Sequence, residues 1–345
     1  MEIEQGRIAL SDNRHGAQAG APWVDAIDVH HHVIPPFYGE ALEALGFATS
    51  LPGVEPPRWD AEASIDMMDR QGVRAAVVSV WPGVPDTRRG PALDLARRVN
   101  EWMAWLVQTR PTRFGAYAIL PLPHVDAALE ELAYAVDVLG LDGVGMVTNV
   151  GGTYVADTAF DPVLEELGRR ATPIFVHPTA SPASRQQPSF GLPGSLYEFP
   201  FETVRLGAQL LYNRTLERFP GLRFILSHGG GGIPYMAERL TYGPIIDPNL
   251  AERASADPVG ALQRIYYDVA MTGNRFSLPS LRAFAASNRI LVGTDFPFMP
   301  EWSIEDNARQ LLTHGGFSAE ELDRVEHGNA EELFPRLGQA SNTPS

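Results

Sequence analysis

The stretch Ala26-Ile27-Asp28-Val29-His30-His31-His32-Val33-Ile34-Pro35-Pro36 decides between two architectures that both begin on a buried strand. An open, doubly wound sheet that binds a dinucleotide leaves its first strand through a Gly-x-Gly-x-x-Gly turn, because only glycine lets the backbone approach a pyrophosphate closely. Here the strand runs into three histidines and two prolines, and that fingerprint is absent. Side chains alternate faces along a strand, so His30 and His32 point one way and His31 the other. A pair of polar side chains at the carboxyl end of a strand is what a closed β/α barrel collects at its functional mouth.

Reading outward, short runs rich in Val, Ile and Ala alternate with amphipathic stretches, in a unit of about 30–50 residues, as strand–helix crossovers do. The strands expected are Ala26–His32, Arg74–Val80, Phe114–Leu120, Leu141–Thr148, Ile174–His177, Leu222–His228, Arg264–Ala270 and Ile290–Asp295. Apolar residues return every three or four positions in Ala61–Gln71, Leu93–Thr109, Val125–Leu139 and Pro162–Arg170, which predicts helices between them. Eight strands with intervening helices give the expectation of an α/β chain folded as one (β/α)8 TIM barrel over residues 25–338. A polar leader covers 1–24 and a flexible tail 339–345. The Pro/Gly-rich stretches Pro82–Pro91, Thr179–Pro200 and Tyr242–Pro258 fall where active-site loops belong.

Composition removes many chemistries. The chain of 345 residues has no cysteine, which excludes disulfides, thiolate metal sites and cysteine nucleophiles. All 27 basic residues are arginine, so Schiff-base chemistry, a pyridoxal anchor and a lysine carbamate bridging two metals are excluded as well. A formal net charge of -15 repels nucleic acid, and no apolar run long enough to span a membrane is present. A cytoplasmic protein acting on a small molecule is the expectation.

Four expected strands end in His or Asp: the first at His30 and His32, the fifth at His177, the sixth at His228 and the eighth at Asp295. A single histidine at a strand end is more often a hydrogen-bonded structural residue than a ligand. Several strand ends converging on one barrel mouth are different, and His30, His32, His177 and Asp295 would supply three imidazoles and a carboxylate to one divalent metal. That donor set suits zinc and tolerates manganese or iron(II), whereas magnesium prefers oxygen alone. His15, His124, His314 and His327 lie away from the strand ends and receive no role.

The segments IDVHHHVIPP at 27–36, FVHP at 175–178, ILSHGGGGIPY at 225–235 and VGTDFPF at 292–298 resemble the amidohydrolase superfamily. The likeness is to its branch of metal-dependent, non-oxidative decarboxylases, which act on aminocarboxymuconate semialdehyde, γ-resorcylate or 6-methylsalicylate. The resemblance implies that His30, His32, His177 and Asp295 bind one metal, zinc before manganese, and that His228 is an unligated catalytic histidine. It also implies a homodimer or homotetramer, and arginines that grip the substrate acid, for which Arg58 and Arg239 are candidates. Glu202, in the segment EFPFETVR at 198–205, resembles a residue of the salicylate-type enzymes, or else simply pairs with Arg205 along a helix. Trp81, Phe37, Phe190, Phe296 and Phe298 lie near expected strand mouths, where they would sandwich a planar ring or serve as core.

The glycines at 229–232 serve either a substrate carboxylate at a helix amino end or a tight turn. The chemistry expected is loss of CO2 from a hydroxy-aromatic or related unsaturated acid, with Asp295 protonating the carbon and His228 polarising an oxygen. The alternative from the same atoms is a hydrolase or hydratase in which a metal-activated water attacks a lactone, an amide or an unsaturated acid.

Overall fold

Eight short parallel strands neighbour one another in chain order. They are β1 (Ala26–His32), β2 (Val73–Ser79), β3 (Phe114–Ile119), β4 (Gly143–Val147), β5 (Pro173–His177), β6 (Arg223–Leu226), β7 (Tyr266–Asp268) and β8 (Ile290–Leu291). The computed structural model describes residues 20–47, 57–85, 87–187 and 189–339. The leader up to residue 19 and the tail from 340 lie outside the described residues.

The ring closes between β1 and the segment after β8. Val29 N–H donates to Val292 O at 2.9 Å, Asp295 N–H to His30 O at 2.8 Å and His32 N–H to Phe296 O at 2.7 Å. The architecture is the (β/α)8 barrel that the alternating pattern predicts.

Helix Ala61–Gln71 shows how local chemistry sets the elements. Asp60 caps it by accepting from Ala63 N–H, and Gly72 ends it at φ +75, where a Cβ would stand 2.0 Å from Trp23 O. Its bounds match the sequence reading. Strand ends differ from it. The sixth and eighth strands stop at Leu226 and Leu291, short of His228 and Asp295, because both of those residues take left-handed backbone, at φ +54 and +61. The functional residues therefore stand on the turns just beyond the strands. The expected helix Val125–Leu139 is α-helical only over Val125–Ala133 and continues as a wider turn, Tyr134–Val138.

Inside the ring, Ile27, Val29, Tyr117, Phe175, Ile225 and Leu291 fill the barrel, and Leu333, Phe334 and Leu337 close its amino end like a stopper. Phe334 meets Tyr117 edge to face at 5.7 Å, and Tyr117 stacks on Phe175 at 5.2 Å. This column of rings is the floor on which the polar mouth rests. No helix among the described residues is long and apolar enough to cross a membrane.

Truncating the stopper tests how much the floor supports. Phe334→Ala is expected to cost about 3–5 kcal/mol, the range for a buried aromatic whose cavity stays open. Denaturant titration of the full chain measures the loss.

Candidate metal centre

Strand alternation sends His30 and His32 inward from β1, while His31 turns outward to Ser64 Oγ at 3.1 Å and Asp28 Oδ2 at 3.0 Å. Asp28 also accepts from His30 N–H at 2.9 Å and from the Thr294 amide and hydroxyl at 3.1 and 2.6 Å. One carboxylate thus joins the histidine run to the segment that carries Asp295. His177 ends β5, and His228 follows β6 with its N–H on Asp268 Oδ1 at 2.9 Å.

The partners fix the imidazole tautomers. A carbonyl oxygen only accepts, so His177 Nδ1, 2.8 Å from Pro178 O, carries the proton and leaves Nε2 bare. His30 Nδ1 donates to Asp268 Oδ2 at 2.8 Å. His32 Nδ1 donates to Ser79 Oγ at 3.1 Å, since that hydroxyl points its own proton toward His31 O at 3.4 Å. Three Nε2 atoms are left to face inward, bare once His30 has given up the proton it shares with Asp295.

These atoms crowd one point. His30 and His32 Nε2 are 3.1 Å apart, and Asp295 Oδ1 is 3.2 Å from the first and 3.1 Å from the second. One ligand atom from each of His30, His177, His228 and Asp295 lies within 4.8 Å of every other. Asp295 Oδ1 and His228 Nδ1 are buried without a hydrogen bond of proper geometry, an unusual state for buried polar atoms. Lone pairs this close repel one another unless a positive charge sits among them, and imidazole plus carboxylate is a donor set for a single divalent cation. The residues present fit the metal.

The electrostatics agree. Burial works against a charged His30, yet the attraction of Asp268 and Asp295 outweighs it and lifts the pKa to about 10. Burial also opposes the Asp295 carboxylate, but His30 and His32 hold it well below the usual carboxylate range. His177, His32 and His228 are all pushed down, first by burial and then by the neighbouring imidazoles. The pocket therefore pairs the anionic Asp295 carboxylate with neutral His32, His177 and His228, while His30 holds a proton that a bound cation would displace.

Comparison with known proteins follows from this geometry. The family model described as Amidohydrolase matches residues 27–336. The chain belongs to the amidohydrolase family. It is 36% identical over 331 residues to the decarboxylase yanB of Aspergillus niger, covering 91% of this chain and 88% of that protein. It is 35% identical over 318 residues to the 6-methylsalicylic acid decarboxylase of Penicillium expansum, covering 90% and 96%. These relatives lie in the decarboxylase branch. A solved dihydroxybenzoic acid decarboxylase from Polaromonas sp. JS666, with bound manganese and 2-nitroresorcinol, shares the fold at TM-score 0.77 and 22% identity over 90% of this chain and 97% of that one.

In this amidohydrolase the remaining candidates separate by position. Trp81 is at the site, its ring 5.7 Å from His177 and its Nε1–H on Pro178 O at 3.2 Å. Phe298 stands 5.1 Å from His32 and 5.9 Å from Trp81. Phe296, two residues earlier, packs instead against the outward His31 at 5.2 Å. Phe190 is 83% exposed on its loop, and Phe37 lies under the Arg98 guanidinium at 4.3 Å.

Arg58 and Arg239 are both exposed, and among the described residues no hydrogen bond or ion pair joins either to the cluster. Arg239 lies on the outer side of helix Ile233–Leu240, which buries Ile233 and Ala237. Glu202 is fully buried and accepts from Tyr154 Oη–H and from Ser181 N–H at 3.0 Å, with Arg205 at 3.3 Å. It ties its helix to the loop after β5. The glycine run serves close packing, since a Cβ on Gly231 would stand 2.6 Å from Pro200 O.

Three participants escaped the sequence reading. Asp268 is the last residue of β7, but a strand drawn on to Ala270 hides it as an interior position. Ser79 is legible only through its contact with His32. Phe199, 5.8 Å from His177 and 5.9 Å from Trp81, reads as an ordinary helix residue. Beside these rings opens a narrow cleft walled by Val84, Leu122, Met146 and Val150.

Asp268→Asn removes the carboxylate that orients His30 and keeps the side-chain volume. Metal affinity is expected to fall about 10–100-fold, as for other partners that orient ligands. Competition against a chromophoric chelator measures it.

Proposed function

We propose that the chain is a metal-dependent, non-oxidative decarboxylase of a hydroxy-aromatic acid of the salicylate or resorcylate type. One observation carries this reading: three bare imidazole nitrogens and an ionised carboxylate converge beside a cleft with aromatic walls. Two of the relatives named above act, by their own names, on 6-methylsalicylic and dihydroxybenzoic acids. The hydrolytic alternative draws no support from those names.

His30, His32, His177 and Asp295 are assigned as ligands and His228 as the residue that handles charge on the substrate. In metal sites the second nitrogen of a ligating histidine is held by a partner. His30, His32 and His177 have such partners in Asp268, Ser79 and Pro178 O, and His228 has a looser one in the Ala270 backbone, so its place outside the ligand set rests on the family resemblance. Zinc is proposed as the ion and manganese as its substitute, the latter supported by the Polaromonas enzyme. When bound, the cation orients the substrate carboxylate with its neighbouring hydroxyl oxygen and stabilises negative charge on them.

Without pyridoxal or thiamine, the electrons released by decarboxylation must stay in the substrate ring. Asp295, held ionised, accepts the proton that the hydroxyl gives up and delivers it to the ring carbon bearing the carboxylate. A C–H bond forms there, the bond to the carboxylate breaks, and its electron pair restores the ring as CO2 departs. His228 donates a hydrogen bond to the substrate oxygen and stabilises its charge. Trp81, Phe199 and Phe298 bound a slot suited to a flat ring.

The same reading includes a barrel domain over 25–338 and a homodimer or homotetramer. Large apolar side chains stay exposed on the segments after β5 and β6, among them Leu196, Tyr235, Ile245 and Ile246. A cytoplasmic location rests on the sequence alone.

The deciding measurement is CO2 release from 6-methylsalicylate and a panel of hydroxybenzoates. Turnover is expected to vanish on chelation and to return with zinc or manganese. His228→Ala is expected to keep its metal and to lose about 10²–10⁴-fold in kcat. Metal loss in that variant would move His228 into the ligand set, and absence of CO2 from every acid would sink the decarboxylase reading.

A further inference from the structure

At the barrel end opposite the metal centre, the amino ends of β6, β7 and β8 surround a second cavity of about 400 Å³. That volume lies in the range of small-molecule sites, about 300–1,000 Å³. Three arginines line it: Arg223 opening β6, Arg264 just before β7 and Arg289 just before β8. Like charges lining one cavity disfavour each other unless anions lie between them.

Elsewhere in this acidic chain arginines end on carboxylates, as Arg74 does on Glu331 at 2.7 Å and Arg336 on Asp142 at 2.9 Å. Among the described residues, the Arg223 and Arg264 guanidiniums have no ion pair and no hydrogen bond. Arg289 Nη1 donates to the Tyr266 hydroxyl at 2.5 Å, and its guanidinium lies over that ring at 4.5 Å. The carboxylate on the lining, Glu332, is occupied by Arg324 at 2.8 Å. Phe224 supplies an apolar wall.

We propose that this cavity is a second ligand site, separate from the metal centre, for a small organic dianion. Planar guanidinium forks match the two oxygens of a carboxylate or phosphate, and two or three of them select a doubly charged end. The rest of the volume takes a carbon skeleton packed on Phe224 and Tyr266. A phosphate monoester and an aromatic dicarboxylate share this chemistry.

The test titrates the metal-loaded full chain calorimetrically with phenyl phosphate and with phthalate, using benzoate as the singly charged control. The same titrations are run on an Arg223→Gln/Arg264→Gln variant. At least one dianion is expected to fill a saturable site in the wild type and to bind about tenfold or more weakly in the variant, while benzoate binding is unaffected by the substitutions. Tighter phenyl phosphate identifies a phosphate ester, and tighter phthalate a dicarboxylate. Both substituted arginines are exposed and far along their strands from the ligands, so metal content and CO2 release should persist in the variant. If the double variant loses its metal, Arg264→Gln alone carries the comparison. Equal dianion affinity in wild type and variant, or no saturable binding of either dianion, overturns the proposal.

Discussion

Repulsion among inward lone pairs is the constraint on which the rest of the molecule depends. His30 and His32 turn Nε2 toward the Asp295 carboxylate at 3.2 and 3.1 Å, and a His177 ring nitrogen lies within 4.8 Å of it, all in a buried setting. Such an arrangement is stable only around a positive charge, so the fold is completed by the cation it gathers. The strands serve this cluster, and the stacked aromatic column of Phe175, Tyr117 and Phe334 packs beneath it.

Positions that strands alone do not favour are held by hydrogen bonds. His228 and Asp295 both take left-handed backbone, which costs a non-glycine residue about 1–2 kcal/mol. The Asp268 carboxylate accepts the His228 amide while its other oxygen orients His30, and His30 O accepts the Asp295 amide. The strained residues and the imidazole cluster therefore support each other. Strain held in this way gathers at functional sites, where it aims side chains that a regular strand would misdirect.

The two ends of the barrel divide the labour of charge. The carboxyl ends concentrate imidazole and carboxylate, and the amino ends of β6 to β8 concentrate guanidinium. A chain without lysine or cysteine has arginine as its only permanent cation, so any grip on an anion must take a fork geometry. The arginines nominated for the substrate acid, Arg58 and Arg239, stay exposed.

The alternation of apolar runs with amphipathic stretches determined the barrel, since strand and helix periods are local properties of the chain. The parity of His30 and His32 and the place of His177 at a strand end were legible for the same reason, whereas His228 and Asp295, expected to end strands, stand on the turns beyond them. Tertiary structure alone decided the rest. It separated Phe298 from Phe296, made Glu202 a structural tie, drew His228 to within 4.8 Å of the other donor atoms and brought Asp268 and Ser79 behind the imidazoles. Those roles depend on which atoms meet across the barrel from positions far apart in the chain, as His30 and Asp268 do at a separation of 238 residues. The periodicity of a sequence fixes which face of an element a side chain takes, but a partner on another strand is set only when the ring closes.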